Sequence, residues 1–412
     1  MKILFVNHFP LTGSGRGVYT CNLAKSLTAK GHECAIIFPD NRSEYEKYDG
    51  IELFPVFFKN KEVIEGVGQA EFNFPCFTTH PRSTFSYRDM TDGQWDVYEE
   101  MFRKKINEVL DEFKPDIVHA QHLWALAGIS AECCRERGVP MVVTCHGTDL
   151  LGIKDERERG ASAGTDLAIE AVEYSHRIIS ISNDNTVFFN DLLPEYKDKV
   201  VIIRNGADGN IFYKDDSIKR EEVLGSLGLD ADYVNVVSFV GKLTPMKNVD
   251  AVLKAAVHYE KPGVVTLIAG DGELRESLEK MKKELGLKNV YFLGNQPHDV
   301  LRKIYNIADC SLVLSKREAF GLVAIEAMMC GAPLVASAHG ALVEFVTEDV
   351  GILVDPEEPK MIAEAVSSIL NGESVFDRAH VAEKIAGKFS QDSIIDEFVE
   401  EYKKAISACG DS

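Results

Sequence analysis

The chain has no apolar run approaching the 18 or more residues that a membrane-spanning helix needs, which argues against an integral helical membrane protein. Its first ten residues, MKILFVNHFP, hold a lone lysine and a short apolar stretch, and read as an opening β-strand and not as a secretory leader. A cytoplasmic protein is therefore expected. There is no CxxC spacing. The nine cysteines are an odd number, and Cys34, Cys145, Cys310 and Cys330 sit in or beside apolar runs, so reduced and mostly buried thiols are the simplest account. Neither zinc binding nor thiol catalysis has the clustered ligands or the positioned base it would require. Nothing resembles a basic stripe, and the formal net charge of −20 argues against a nucleic-acid partner. Lys2, Arg16, Lys25 and Lys30 make the first thirty residues locally basic, so any membrane association is at most peripheral. No Asp-x-Asp pair stands at a strand end, no GxGxxG fingerprint occurs, and no tandem repeat or low-complexity tract is present.

What is present is an alternation of apolar runs with helical patterns. Strands are readable at 2–7, 34–38, 117–120, 141–145, 178–182 and 200–203, then at 234–240, 264–270, 290–294, 311–315 and 334–338. At 412 residues, with 45% hydrophobic and 27% charged residues, the chain suits two soluble domains better than one core. The fold class expected is α/β, as two Rossmann-like doubly wound domains, with the junction between Asn205 and Asp232. The closing segment 390–406 has the period of an amphipathic helix.

The densest signal is SKREAFGLVAIEAMMCGAP, residues 315–333. It follows an apolar strand, and Gly331 and Pro333 stop a short helix before the next strand. Glu318 falls in the loop before that helix, within reach of hydroxyls of a bound sugar. Glu326 falls inside it among apolar residues, where a carboxylate is costly unless hydrogen-bond donors meet it, and a ribose diol supplies two. Backbone amides around Ala319, Phe320, Gly321 and Leu322 form a seat for a diphosphate at a helix N-terminus. Two glutamates at this spacing also occur by chance in any acidic protein, as solvated side chains paired to lysines.

The run EAFGLVAIEAMMCGAPLVAS resembles the donor-site signature of retaining glycosyltransferases of family 4, which have the GT-B fold. That resemblance implies two Rossmann-like domains facing each other across a cleft. Residues 1–208 would bind the acceptor, with a C-terminal helix at 390–408 packing back on them, and 209–389 would bind the nucleotide-sugar donor. It assigns Glu318 to the transferred sugar and Glu326 to the ribose. After the strand at 234–240 comes GKLTPMKN, where Gly241 opens a turn and Lys242 and Lys247 leave the carboxyl end of the sheet. Ligands bind at that edge in open α/β sheets, and two cations there neutralise a departing diphosphate. The family usually has arginine first, so Lys242 gives up bidentate geometry. The loops at Asp271 and Asn295 open on the same edge as donor contacts.

In the N-terminal half, Gly13, Gly15 and Gly17 form a glycine-rich loop after the first strand; the resemblance lays Gly15 over the diphosphate. For Arg16, contact with an anionic acceptor and simple solvation stand side by side. The second strand runs CAIIFPD, so Pro39 intervenes before the acidic residue a dinucleotide site would place at its end. His146, in the HGTD that leaves the strand at 141–145, is placed by resemblance beside the donor sugar, and Asp149 either contacts acceptor or caps the following turn. The aromatic, irregular stretch 72–95 is assigned to the acceptor through His80, Arg82 and Arg88, with a packing loop as the alternative.

The function expected is metal-independent, cofactor-free transfer of a sugar from a UDP- or GDP-sugar to a sugar, polyol, lipid-linked or phosphorylated acceptor. His146, Lys242, Lys247 and Glu318 would carry the chemistry. A sugar-nucleotide epimerase or phosphorylase on the same architecture is the rival enzyme, separated by whether product forms from donor alone. A non-catalytic sugar-nucleotide-binding subunit is the rival of another class.

Overall fold

The structure is a computed structural model that describes all residues except 14, 43, 44, 46, 60–69, 78, 79, 411 and 412, with the backbone alone at 15, 16 and 410. The chain divides into two compact units, Met1–Ile203 with Ile395–Ser412, and Arg204–Ile394.

The first unit is built on strands β1 (Lys2–Asn7), β2 (Glu33–Asp40), β3 (Ile51–Phe57), β4 (Ile117–Gln121), β5 (Met141–Cys145), β6 (Arg177–Ser180) and β7 (Val200–Ile202). All pairs are parallel, in the order β3-β2-β1-β4-β5-β6-β7. The second unit has β8 (Asn235–Val240), β9 (Val264–Ala269), β10 (Val290–Gly294), β11 (Cys310–Val313), β12 (Leu334–Ser337) and β13 (Gly351–Val354), again all parallel, in the order β10-β9-β8-β11-β12-β13. The central strands β1, β4, β5, β9, β11 and β12 are buried almost throughout, because helices cover both faces of a parallel sheet; their continuous apolar runs are the sequence form of that burial. Both sheets reverse strand order once, between β1 and β4 and between β8 and β11. At these two points the loops leaving neighbouring strands diverge and open a crevice at the carboxyl edge.

Two strands lie outside the sequence expectation. β3 contains Pro55, and as the edge of its sheet it needs no donor on its outer side. β13 is a four-residue edge strand. A third difference concerns Asp40, which does end β2. Pairing of β2 with β1 stops at Ile37, so the missing N–H of Pro39 breaks no ladder bond on that side and the strand continues to Asp40 along β3.

The stretch 72–95, residues 78 and 79 aside, is a packed strap. Isolated bridges Cys76↔Ser86 and His80↔Ser83 fold it back on itself, and it buries Phe74, Tyr87 and Trp95 beside Phe58, Tyr98 and Phe102. Truncating any one of these aromatics would cost about 3–5 kcal/mol. Helix Asp92–Phe113 then starts at a capping box between Thr91 and Gln94. The last helix, Gln391–Gly410, buries Ile395, Phe398, Tyr402 and Ala405, and from Ile395 onward it belongs to the first unit. Among the described residues no helix is long and apolar enough to cross a membrane.

Candidate functional site

In the second unit the chemistry gathers at the β8/β11 reversal. After β8 the chain makes a tight turn and a short 3-10 segment, Pro245–Lys247; after β11 it runs through Ser315 and Glu318 to helix Leu322–Met329. The Lys316 N–H donates to the Met246 carbonyl at 2.9 Å and binds these two loops to each other. Lys247 Nζ then donates to Glu318 Oε2 at 2.5 Å, and the Ser315 hydroxyl donates to the same oxygen at 2.9 Å. With side chains 28% and 13% exposed, the pair is neither a solvated surface bridge nor sealed from ligand. Both donors meet the same carboxylate oxygen, Oε2.

Glycines set how closely these loops approach. A Cβ on Gly270 would stand 1.9 Å from the Gly241 carbonyl oxygen, and one on Gly340 would stand 2.7 Å from the Glu318 carbonyl oxygen. Both have positive φ, 137° and 63°. Gly270 N–H donates to the Gly294 carbonyl at 2.7 Å, and Leu243 N–H to that of Asp271 at 3.0 Å, so the turns after β8, β9 and β10 form one tied edge. Gly321, at φ 94°, opens helix Leu322–Met329, whose first amides have no acceptor within the helix.

One turn into that helix, Glu326 is partly buried. Removal from water pushes its carboxyl up to about 7, from an ordinary 4.5, and the Tyr305 side chain beside it pulls weakly the other way. The Tyr305 hydroxyl makes no hydrogen bond of ordinary geometry. A carboxylate held this way gains most from a ligand that brings its own donors.

In the first unit the β1/β4 reversal is lined by histidines. His8 follows β1, His122 follows β4 with φ 79°, and His146 follows β5; the His122 ring lies 5.6 Å from that of His8 and 4.6 Å from that of His146. Burial holds His8 down at about 4. His8 Nδ1–H donates to the Gln121 carbonyl at 2.8 Å while its Nε2 accepts from Leu126 N–H at 3.1 Å, so the ring is neutral with a defined tautomer. Asp149, fully buried, accepts from the backbone N–H of Leu123 at 2.9 Å, of His146 at 3.0 Å and of Leu150 at 3.0 Å, and thereby ties the turns after β4 and β5. Beside them opens a cavity of about 370 Å³ with Phe77, Tyr87 and Trp124 among its walls, one face of helix Thr148–Arg159 opposite, and Arg88 and Arg159 among its charged groups. Both arginines pair with Asp155.

Two families match the chain: Glycosyl transferases group 1 over residues 228–388 and Glycosyltransferase Family 4 over residues 13–210. The chain belongs to the family 4 glycosyltransferases. An uncharacterized glycosyltransferase of Methanocaldococcus jannaschii is 29% identical over the full length of both proteins. D-inositol 3-phosphate glycosyltransferase of Mycobacterium tuberculosis is 32% identical over 71% of this chain and 62% of its own length. Among solved structures, sucrose-phosphate synthase of Thermosynechococcus elongatus superposes with a TM-score of 0.76 at 19% identity, covering 99% of this chain and all of that one. HepE of Anabaena, solved with UDP, gives 0.70 at 18% identity over 98% of this chain and all of that one. These neighbours share the GT-B fold.

Against this family frame, the expected donor residues fall on one edge of the second unit. Lys247 and Glu318 are in direct contact. Lys242, Asp271 and Asn295 are exposed on loops of the same edge, with Gly241 at the turn. Ala319 and Leu322 contribute backbone near the helix start, whereas Phe320 is buried against Phe345 and Phe389 and acts through packing. In the first unit Gly15 begins helix Gly15–Ala29, and the side chain of Arg16 lies outside the described part. Arg82 forms an ion pair with Asp40, which is 2% exposed, and His80 donates to the Thr12 carbonyl at 3.2 Å; both hold the strap to the glycine loop. Arg88 alone of the three reaches the cavity. Sequence reasoning missed Ser315, three residues before Glu318, and the side chains behind His146. The first had a signal in that spacing; the second had none.

Proposed function

We propose that this glycosyltransferase is a retaining, metal-independent hexosyltransferase that uses a UDP- or GDP-sugar. The observation that supports this most is the Lys247–Glu318 pair at the strand-order reversal of the second sheet. An arriving diphosphate competes for the Lys247 ammonium, and as that ion pair loosens, Glu318 turns its acceptor capacity to sugar hydroxyls. Lys242 adds a second cation, the amides at the start of helix Leu322–Met329 add fixed dipoles, and Glu326 takes the ribose diol. In the chemical step the acceptor oxygen bonds to the anomeric carbon on the face from which the phosphate departs. The bond from that carbon to the phosphate oxygen breaks, and the same oxygen takes the acceptor's proton. By the family resemblance His146 also takes part in transfer. No side-chain base is then required.

We assign the acceptor to the cavity of the first unit. Its aromatic walls suit the apolar face of a sugar or cyclitol ring, and an anionic substituent would compete with Asp155 for Arg88 and Arg159. The name of the mycobacterial relative, a D-inositol 3-phosphate glycosyltransferase, supports a phosphorylated polyol of this class.

Thermal shift with UDP-, GDP- and ADP-sugars identifies the donor by a raised melting temperature. Transfer is then followed by mass spectrometry over a panel of sugars, polyols and their phosphates. Retention of anomeric configuration by NMR is expected, and an inverted product overturns the mechanism. Glu318→Ala should abolish transfer with the fold intact; undiminished turnover would remove Glu318 from the chemistry. Product from donor alone would favour the epimerase reading.

A further inference from the structure

We propose that Ser315 is a positioning residue for Glu318: its hydroxyl holds the Glu318 carboxyl in place when an arriving diphosphate draws Lys247 away. The inference rests on the reading that Glu318 contacts the transferred sugar and Lys247 the diphosphate.

The arrangement starts in the loop that leaves β11. The strand ends at Val313, and Ser315 stands two residues later, 2% exposed. The backbone of Glu318 is fixed independently of its side chain. Its carbonyl accepts from Ala341 N–H at 3.0 Å, and Gly340 packs so closely that a Cβ there would stand 3.1 Å from the Glu318 nitrogen. The stem of the side chain is confined as well, because a Cβ on Gly321 would lie 3.2 Å from Glu318 Cγ. The terminal carboxyl is then held by two donors on one oxygen, the Ser315 hydroxyl at 2.9 Å and Lys247 Nζ at 2.5 Å.

These two donors differ in how firmly they are placed. Ser315 brings its oxygen on a single side-chain torsion, from a buried position in the same loop, three residues before Glu318. Lys247 brings its nitrogen on a four-carbon stem from the 3-10 segment after β8, with 28% of its side chain exposed. A long, partly exposed ammonium can swing to a second anion, whereas a short buried hydroxyl has little room to follow. A diphosphate carries more negative charge than one carboxylate and competes for the ammonium on that ground; the neutral hydroxyl is not drawn with it. Once Lys247 has turned, Ser315 is the contact that keeps Oε2 where it was.

In the unliganded protein the two contacts overlap, because Lys247 also holds the carboxyl. Loss of the hydroxyl is therefore felt chiefly after the diphosphate has bound. Ser315 separates two properties that meet in the Lys247–Glu318 pair: affinity for diphosphate, which needs the ammonium, and alignment of the sugar, which needs the carboxyl.

The test uses the full-length protein with whichever of UDP-glucose, GDP-mannose and ADP-glucose raises its melting temperature most, and with the matching free nucleoside diphosphate. Isothermal titration gives the ratio of the two dissociation constants, and its change between variants reports on the sugar contact alone. Ser315→Ala should keep its cooperative melting transition and bind the free nucleoside diphosphate within about twofold of wild type, yet bind the nucleotide sugar at least threefold more weakly. Its kcat should fall about tenfold to a hundredfold, equivalent to about 1.4–2.8 kcal/mol and in line with one hydrogen bond to a charged group. Lys247→Ala, by contrast, should weaken both ligands. In a Glu318→Ala background, Ser315→Ala should change the ratio no further, because Ser315 acts through that carboxyl. Unchanged kcat in Ser315→Ala, equal loss of affinity for both ligands, or a further change of the ratio in the Glu318→Ala background overturns the proposal. If Glu318→Ala itself keeps the wild-type ratio and turnover, the sugar assignment of Glu318 fails and the proposal with it. A loss in Glu318→Ala with none in Ser315→Ala overturns the role of Ser315 alone.

Discussion

With the ribose assigned to Glu326 as proposed, donor affinity should depend on pH in a direction that can be worked out in advance. Its carboxyl titrates at about 7 in the unliganded protein, against an ordinary 4.5, because burial disfavours the charged form. A ribose diol offers two hydroxyl donors, which the carboxylate accepts and the protonated acid accepts less well. If only the ionised form binds, the apparent Kd scales as one plus the ratio of protonated to ionised carboxyl. Between pH 8 and pH 6 that factor rises from about 1.1 to about 11, a loss of roughly tenfold or about 1.4 kcal/mol. The assay is isothermal titration with an intact nucleoside diphosphate sugar, whose diester diphosphate stays ionised over this range, in wild type and in Glu326→Gln. The variant should bind more weakly than wild type at pH 8 and lose most of the slope. Stability carries the opposite sign. A carboxyl with a raised folded value contributes stability that is present below 4.5 and lost as pH rises through about 7, so unliganded Glu326→Gln should exceed wild type at pH 8 by on the order of 3 kcal/mol. A wild-type affinity that is flat or improves toward pH 6, or a Gln variant with the wild-type slope, refutes the ribose assignment.

Transfer should persist in excess chelator; complete loss restored by magnesium or manganese would replace the lysine-based account of leaving-group stabilisation. Gly340→Ala adds a Cβ 2.7 Å from the Glu318 carbonyl oxygen at a φ of 63°, so it should displace the Glu318 loop, costing about 1–3 kcal/mol in denaturant unfolding and lowering kcat more than it raises donor KM. Arg82→Ala leaves Asp40 buried without its cation and should cost about 3–5 kcal/mol in the same measurement, whereas joint replacement of both by apolar residues should recover much of it. A single Arg82 variant with unchanged midpoint would show that Asp40 finds another partner.

The parts of this fold that were legible in the sequence are those where burial leaves a continuous apolar run. KILFVN, MVVTC and VVTLIA lie in sheet interiors, and short apolar runs of this kind suit strands covered on both faces. IELFPVF and GILV are edge strands, half covered or short, and their pattern merges with that of loops. The strap at 72–95 had no period because bridges and aromatic packing, and not regular hydrogen bonding, hold it. In the candidate site, the glutamates and lysines were visible because a strand, a short helix and a Gly-Pro stop frame them. The glycines that matter most were not visible as such. What Gly270 and Gly340 avoid is a backbone carbonyl delivered by another loop, and proximity of that kind exists only once the sheet has assembled. The same holds for Gln121, whose side chain meets His119 on β4 and His146 after β5.

The two carboxylates of the second unit are maintained by opposite means, and each means suits a different part of a nucleotide sugar. Glu318 accepts from Lys247 and Ser315 at Oε2, so its hydrogen-bonding capacity is divided between a protein cation and whatever meets Oε1. A ligand that brings negative charge to Lys247 shifts that division, and a neutral sugar alone does not. Glu326 has no cation paired with it among the described residues. Its charge is suppressed until donors arrive, so it rewards a diol and resists a bare phosphate. On the proposed assignment, binding energy from the ribose and diphosphate would be converted into alignment of the sugar, because the first lowers the cost of ionising Glu326 and the second frees Glu318. Free nucleoside diphosphate should accordingly loosen the Lys247–Glu318 contact, while free sugar should leave it closed. A double-mutant cycle on Lys247 and Glu318, read in melting temperature, should show a coupling that shrinks with the nucleotide bound.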